Sequence, residues 1–348
     1  MMGGFTPTAT VSGSFKRSSG KAKPMPTASR KVRLNGLDVS FDEAGTGPLV
    51  LLCHGFPETS YAWRHQVTGL AAAGFQVVAP NLPGVGASSG FEPERYNLVE
   101  LVGHLVGLLD ALGSAEAVIV GNDWGASLAW QSALLRPDRF RAVAALGVPM
   151  MGQPPVPPTS LFPQSADELF YTLYFQQPGV AEAEFERDVE LALRKIIFAA
   201  SGDAGPRIPG DGTPNPFGMV LRERGLLAPL PIPAVLPDWL SDADLKNFAA
   251  SYRDSGFTGA LNLYRNLDRN WRLQHAFSGL KVVTPALYIV GERDPGLSIP
   301  GMDQIIAAMP TLVPGLRKSI VLPGCGHWAP QEKPDEVNVA LIEFLTGL

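Results

Sequence analysis

Ala117-Val-Ile-Val-Gly121-Asn122-Asp123-Trp124-Gly125 decides how the rest of the chain is read. Its first four residues form an apolar run of the kind buried on both faces of a parallel sheet. Glycines 121 and 125 then bracket Asp123, where the strand gives way to a helical stretch through Leu128 to Leu135. Small neighbours on both sides permit a sharp strand-to-helix turn that lifts one side chain above the sheet. Taken alone, Asp123 reads equally well as the cap of the helix that follows it. The remainder of the sequence has to choose between these readings.

The same alternation continues on either side. Residues 31–34 and 37–42 alternate around Asn35-Gly36, a dipeptide that accepts positive φ at both turn positions, and predict a hairpin. Pro48-Leu-Val-Leu-Leu-Cys53 predicts a buried strand, 61–73 a helix and 75–79 a second strand. Residues 97–112 carry leucines at helical spacing and stop at Gly113, and 141–146 read as a strand. Between 151 and 240 lie fourteen of the 32 prolines, which excludes both a regular sheet and one long helix. Within that region 180–198 reads as a helix, and 241–255 as another, opened by Ser241 with Asp244 three residues on. Strand–helix alternation resumes with 285–291, 300–309, 318–322 and 334–345. The pattern is an α/β fold: a mostly parallel sheet flanked by helices, with an inserted helical cap. The core is expected at 30–150 and 278–348, and the cap at 151–277.

Composition narrows the function classes. The 348 residues are 45% hydrophobic and 18% charged, which suits a globular chain of about two structural units or one large α/β domain carrying an insertion. No apolar run approaches the roughly 18 residues of a membrane span. Two cysteines are too few for a disulfide framework or a cysteine-rich zinc site, and a net charge of −5 argues against nucleic acid as a partner. Residues 1–35 hold seven basic and no acidic side chains, and 1–29 are expected to form a disordered basic tail. No histidine–carboxylate spacing suggests a metal, and Gly84-Val-Gly86 is too short to be a phosphate loop, so neither metal nor cofactor is expected. The expected setting is cytoplasmic, with the chain acting alone or as a homodimer.

In open α/β sheets, reactive groups gather beyond the carboxyl ends of the strands. His54-Gly-Phe-Pro57 follows one buried strand, and Asp294, in Gly291-Glu-Arg-Asp-Pro295, follows another. His327, in Pro323-Gly-Cys-Gly-His-Trp328, follows the last strand. The chain order Asp123, Asp294, His327 is the nucleophile–acid–base order of hydrolases built on such an elbow. There the loop after the early strand and the residue after the nucleophile supply backbone N–H groups to an oxyanion, here Phe56 and Trp124.

Several stretches together resemble the α/β-hydrolase-fold epoxide hydrolases. They are Gly-Asn-Asp-Trp-Gly (121–125), His-Gly-Phe-Pro-Glu (54–58) with Ser-Tyr-Ala-Trp-Arg-His (60–65), and Gly-Cys-Gly-His-Trp (324–328). The cap adds Tyr171-Thr-Leu-Tyr-Phe-Gln-Gln-Pro-Gly-Val-Ala-Glu182 and Leu263-Tyr264-Arg-Asn266. The likeness runs from about residue 31 to 348. It implies Asp123, His327 and Asp294 as a catalytic triad, with Tyr171 and Tyr264 as proton donors. One departure is Asn81-Leu-Pro-Gly-Val-Gly-Ala-Ser88, where such proteins often carry Asp and Arg-Gly; the change touches packing and pocket shape rather than chemistry.

The residue types fit that implication. A serine attacking a saturated carbon would leave an ether that activated water cannot readily cleave, whereas a carboxylate leaves an ester that it can. An epoxide oxygen departs as an alkoxide and needs a proton, which a phenol with a pKa of about 10 can give. A halide needs only N–H dipoles, for which Trp124 would serve, so haloalkane or haloacetate dehalogenation with the same triad is the alternative. A ligand-binding receptor on the same fold is a more distant third. Tyr174 lies three residues from Tyr171, and helical spacing does not separate them; the resemblance selects Tyr171. His54, Pro57, Trp63, Phe175 and Trp328 are expected to line an apolar pocket for a hydrophobic epoxide.

Overall fold

A computed structural model describes residues 27–206 and 213–348. Most of the expected basic tail, residues 1–26, lies outside the described residues. Ala28 and Ser29, assigned from sequence to that tail, belong instead to the first strand.

Ten strands run in chain order: β1 (Ala28–Leu34), β2 (Leu37–Ala44), β3 (Leu49–Cys53), β4 (Gln76–Pro80), β5 (Ala117–Asn122), β6 (Phe140–Leu146), β7 (Glu168–Phe170), β8 (Met219–Leu221), β9 (Ala286–Gly291) and β10 (Leu316–Leu322). The α-helices are α1 (Arg64–Ala72), α2 (Leu98–Ala111), α3 (Trp124–Leu135), α4 (Tyr171–Tyr174), α5 (Val180–Phe185), α6 (Val189–Ala200), α7 (Asp242–Ser255), α8 (Thr258–Arg265), α9 (Leu267–Gln274), α10 (Met302–Leu312), α11 (Ala329–Glu332) and α12 (Pro334–Thr346). Eight strands form one sheet in the order β1-β2-β4-β3-β5-β6-β9-β10. The pairs β1–β2 and β2–β4 are antiparallel and every later pair is parallel. Asn35 and Gly36 both take positive φ (50° and 84°), so the β1–β2 turn has the backbone that Asn-Gly favours.

The period of two along β5 distributes its side chains to opposite faces. Ile119 packs with Leu101, Leu105 and Leu108 of α2 and with Leu128 of α3. Val118 and Val120 pack with Val67 and Leu70 of α1 and with Leu341 and Phe344 of α12. Burial on both faces is why this strand reads as an unbroken apolar run. It also fixes the carboxyl end of β5 in the interior of the sheet, with β3 and β6 on either side.

The segment between β6 and β9 builds a separate apolar cluster in which Phe175, Phe185, Ile196, Phe248, Phe257 and Tyr264 are buried together. Two details depart from the sequence reading. The helix expected over 180–198 is broken into α5 and α6, because the Asp188 side chain accepts from Leu191 N–H and starts a new helix. A short antiparallel pair, β7–β8, also joins residues 168–170 to 219–221, and its three-residue strands leave no readable periodicity. At Ser241 the reciprocal capping with Asp244 is formed. No described helix is long and apolar enough to cross a membrane.

Candidate active site

Asp123 sits at the β5–α3 turn with φ 54° and ψ −122°, one of two non-glycine residues with positive φ among the described residues. The turn is tight because its neighbours lack side chains. A Cβ on Gly121 would collide with the Gly125 carbonyl, and one on Gly125 with the Cys53 carbonyl. Asp123 does not cap α3; its carboxylate is turned to other partners. Phe56 N–H donates to Oδ1 at 2.8 Å, and His327 Nε2 lies 3.2 Å from Oδ2. On its other side, His327 Nδ1 lies 2.9 Å from Asp294 Oδ2. Both carboxylates and the imidazole are buried. The structure thus brings together, from the ends of β5, β9 and β10, the three residues singled out in the sequence.

Burial by itself would lower the His327 pKa. The Asp294 and Asp123 carboxylates, through charge and hydrogen bonding, outweigh it and hold the imidazole well above its usual value. A histidine whose folded pKa is raised stabilises the fold fully below its unfolded value of about 6.5, and that contribution is lost as pH climbs through the folded value. The melting temperature is therefore expected to fall as pH rises above neutrality, before free tyrosines ionise near pH 10. A His327→Gln variant should show a flatter profile over that window in thermal melts; equal slopes would mean the imidazole is not held as a cation.

The phenols approach from the segment between β6 and β9. Tyr171 opens α4 and Tyr264 lies near the end of α8, with ring centroids 5.9 Å apart at 78°. Burial, then the nearby Asp123 charge, pushes both hydroxyls above the ordinary tyrosine pKa, so both stay protonated. Tyr174 is directed elsewhere: its hydroxyl donates to Glu184 Oε2 at 2.8 Å. Phe175 stacks edge-on with Tyr264 (4.9 Å) and Tyr171 (5.7 Å) and lies 5.5 Å from Phe56. Trp124 packs edge-on to Tyr264 at 5.1 Å.

Not every expected pocket residue reaches this wall. Trp63 is packed in the core on the α1–α12 face of the sheet, because the turn Ser60–Trp63 directs it there rather than toward the apolar cluster of the segment between β6 and β9. His54 has both ring nitrogens engaged by backbone: Leu82 N–H donates to Nε2 (3.0 Å), and Nδ1 lies 2.9 Å from the Gly55 carbonyl. Burial lowers its pKa to about 4, so it is a neutral brace between two loops rather than a surface for substrate. Trp328 is fully buried, donating from Nε1 to the Ile197 carbonyl (2.7 Å) and presenting its ring to His327 at 4.8 Å. Pro57 is buried behind Phe56. Asn81, at the departure from the family pattern, accepts from Ser60 N–H and donates to Ser40 Oγ, bracing the same loops.

Three residues were not singled out from sequence. Phe217 touches both the His327 ring (4.8 Å) and the Tyr171 ring (5.4 Å), closing the aromatic wall between base and phenol. Glu58 is completely buried beneath the site, held by Gln331 (2.8 Å) and Asn122 (3.3 Å), and burial raises it to about 7. Glu332 lies behind the His327 loop. The Glu in 54–58 was visible as part of a motif; Phe217 and Glu332 carry no local signature.

The arrangement offers a carboxylate on a strained turn, an imidazole in contact with it and two neutral phenols beside it. No group of His, Cys, Asp or Glu that could hold a metal occurs among the described residues. Comparison with known proteins points the same way. A family model described as the alpha/beta hydrolase fold matches residues 48–334. Epoxide hydrolase A of Mycobacterium tuberculosis is 42% identical over 323 residues, 92% of this chain and 97% of that protein. Among solved structures, an epoxide hydrolase from an endophytic Streptomyces superposes with a TM-score of 0.85 at 41% identity, covering 92% of this chain and 96% of that one. Epoxide hydrolase A from Mycobacterium thermoresistibile gives a TM-score of 0.85 at 40% identity, over 93% and 99% of the two chains. With matches of this extent on sequence and on structure, the chain belongs to the α/β-hydrolase-fold family of epoxide hydrolases.

Proposed function

We propose that the protein hydrolyses a hydrophobic epoxide to a vicinal diol through a covalent ester on Asp123. In the first step an Asp123 carboxylate oxygen bonds to a ring carbon, the carbon–oxygen bond of the ring breaks, and one of Tyr171 and Tyr264 protonates the departing oxygen. In the second step His327 takes a proton from water, and the hydroxide attacks the ester carbonyl. The tetrahedral oxyanion is held by the Phe56 and Trp124 N–H groups; its collapse breaks the ester C–O bond, and the departing oxygen takes the proton of the new carboxyl group, which frees the diol and leaves Asp123 ionised and His327 protonated. Asp294 keeps the imidazole oriented and balances its charge. In this reading the segment 151–277 is the cap, because it supplies both phenols, and the aromatic wall favours apolar substituents on the epoxide.

The observation that carries the proposal is the meeting of three chemistries. A carboxylate rather than a hydroxyl occupies the elbow, an imidazole lies 3.2 Å from it, and two phenols, Tyr264 buried and Tyr171 half-buried, share its surroundings. Phe56 N–H donates to Oδ1 and His327 lies against Oδ2, so the carboxylate is held in one orientation for its attack on carbon. Esterification also removes one of the two negative charges that raise the His327 pKa. Burial then favours the neutral imidazole needed to activate water. The imidazolium proton released at that stage offsets the phenolate left by ring opening. A departing halide would need no phenol, so dehalogenation leaves the tyrosine pair without a task.

Tyr171→Phe and Tyr264→Phe remove only the hydroxyls and keep the ring packing. Each is expected to slow epoxide turnover by about ten- to a hundredfold, and the double variant by about a thousandfold or more. Steady-state rates on aryl and alkyl epoxides read this out. A double variant turning over at the wild-type rate would refute the assignment of the phenols.

A further inference from the structure

Glu332 is half-buried behind the His327 loop and has no ion-pair partner among the described residues; three backbone N–H groups hold its carboxylate. Oε2 accepts from Gly326 N–H at 2.7 Å and from Gly202 N–H at 2.9 Å, while Oε1 accepts from Trp328 N–H at 3.0 Å. Gly326 and Trp328 are the two residues on either side of His327, and Gly202 follows α6 in the segment between β6 and β9. The Trp328 bond alone would be ordinary satisfaction of a helix start, since Trp328 directly precedes α11. The other two bonds are not local and serve no helix of Glu332's own.

The seat has further attachments. His327 N–H donates to the Ala200 carbonyl at 3.0 Å, and Arg293, the neighbour of Asp294, donates from Nη1 to the Gly202 carbonyl at 3.0 Å. The backbone contact is close: a Cβ on Gly202 would collide with the Gly324 carbonyl, and one on Gly326 with Gly202 N. One cap peptide, at residue 202, is therefore clamped between the loop carrying Asp294 and the loop carrying His327.

We propose that Glu332 is a positioning residue for His327: its carboxylate fixes the backbone on both sides of the imidazole and registers that loop against the cap through Gly202. Asp294 sets the rotation of the ring through one nitrogen, and Glu332 sets where the ring's backbone stands. The role concerns the water-activating step. Ring opening at Asp123 draws on the elbow and the phenols, whereas ester hydrolysis requires the imidazole to aim a water at a carbonyl. A misplacement of about 1 Å can cost on the order of a hundredfold in such a step.

The inference rests on the two-step reading above, and single-turnover kinetics with an aryl epoxide such as styrene oxide separate the two. Wild-type protein must form the ester; failure there would count against that reading and not against Glu332. In Glu332→Gln an amide N–H₂ would face backbone donors. This variant is expected to hydrolyse the ester at least about tenfold more slowly, with the rate of ester formation within about twofold of wild type, so that ester accumulates. Gly202→Ala, which disturbs the same clamp from the cap side, is expected to show the same split and serves if Glu332→Gln does not fold. A purely structural role would lower the active fraction and both rates together. Equal slowing of the two steps, or no slowing of hydrolysis, would overturn the proposal.

Discussion

Asp123→Asn is expected to abolish epoxide turnover, by on the order of 10⁴-fold or more. The substitution keeps the shape of the side chain, and asparagine tolerates positive φ better than most residues, so the turn at φ 54° should survive. Phe56 N–H can still donate to the remaining carbonyl oxygen, as it does to Oδ1. What is lost is the anionic oxygen that would bond to carbon, and neither the phenols nor the oxyanion groups can replace it. Purified variant and wild type would be compared by diol formation at matched melting behaviour. Turnover within tenfold of wild type would sink the covalent proposal.

His327→Gln should separate the two halves of the reaction. Asp123 does not need the imidazole to attack, so ester formation continues; water is no longer activated, and the ester persists. Steady-state turnover should drop on the order of 10³-fold or more, while intact-mass measurement after mixing with an aryl epoxide should show a species heavier by one substrate. The adduct should be absent from Asp123→Asn under the same conditions. A His327→Gln protein that turns over slowly without any adduct would point instead to water attacking the epoxide directly.

How much of this was legible in the sequence depended on whether its cause was local. The β5 elbow could be read because close approach demands glycine at 121 and at 125, and a doubly buried strand leaves an apolar run before them. Asp294 and His327 could be placed because their strands end immediately before them. Trp63 could not: its neighbours Tyr61 and Ala62 join the apolar cluster of the segment between β6 and β9, but the short turn after residue 59 carries Trp63 to the other face of the sheet. His54 was read as a pocket residue because its backbone partners, Gly55 and Leu82, are invisible in a one-dimensional pattern. The break at Asp188 was readable in principle, since an aspartate before Val189 is an ordinary helix-start residue, yet the continuous apolar spacing on both sides hid it. Phe217 and Glu332 stayed hidden because their partners arrive from segments distant in the chain.

The Tyr171 and Tyr264 phenols lie wholly in the insertion between β6 and β9, whereas Asp123, His327 and the Phe56 and Trp124 amides all lie beyond strand ends of the sheet. On the proposed mechanism, leaving-group chemistry and ester chemistry are thereby encoded in separate stretches of the gene. On that mechanism, exchange of the insertion alone could redirect the enzyme toward a different class of electrophile while the machinery that hydrolyses the alkylated aspartate stays in place.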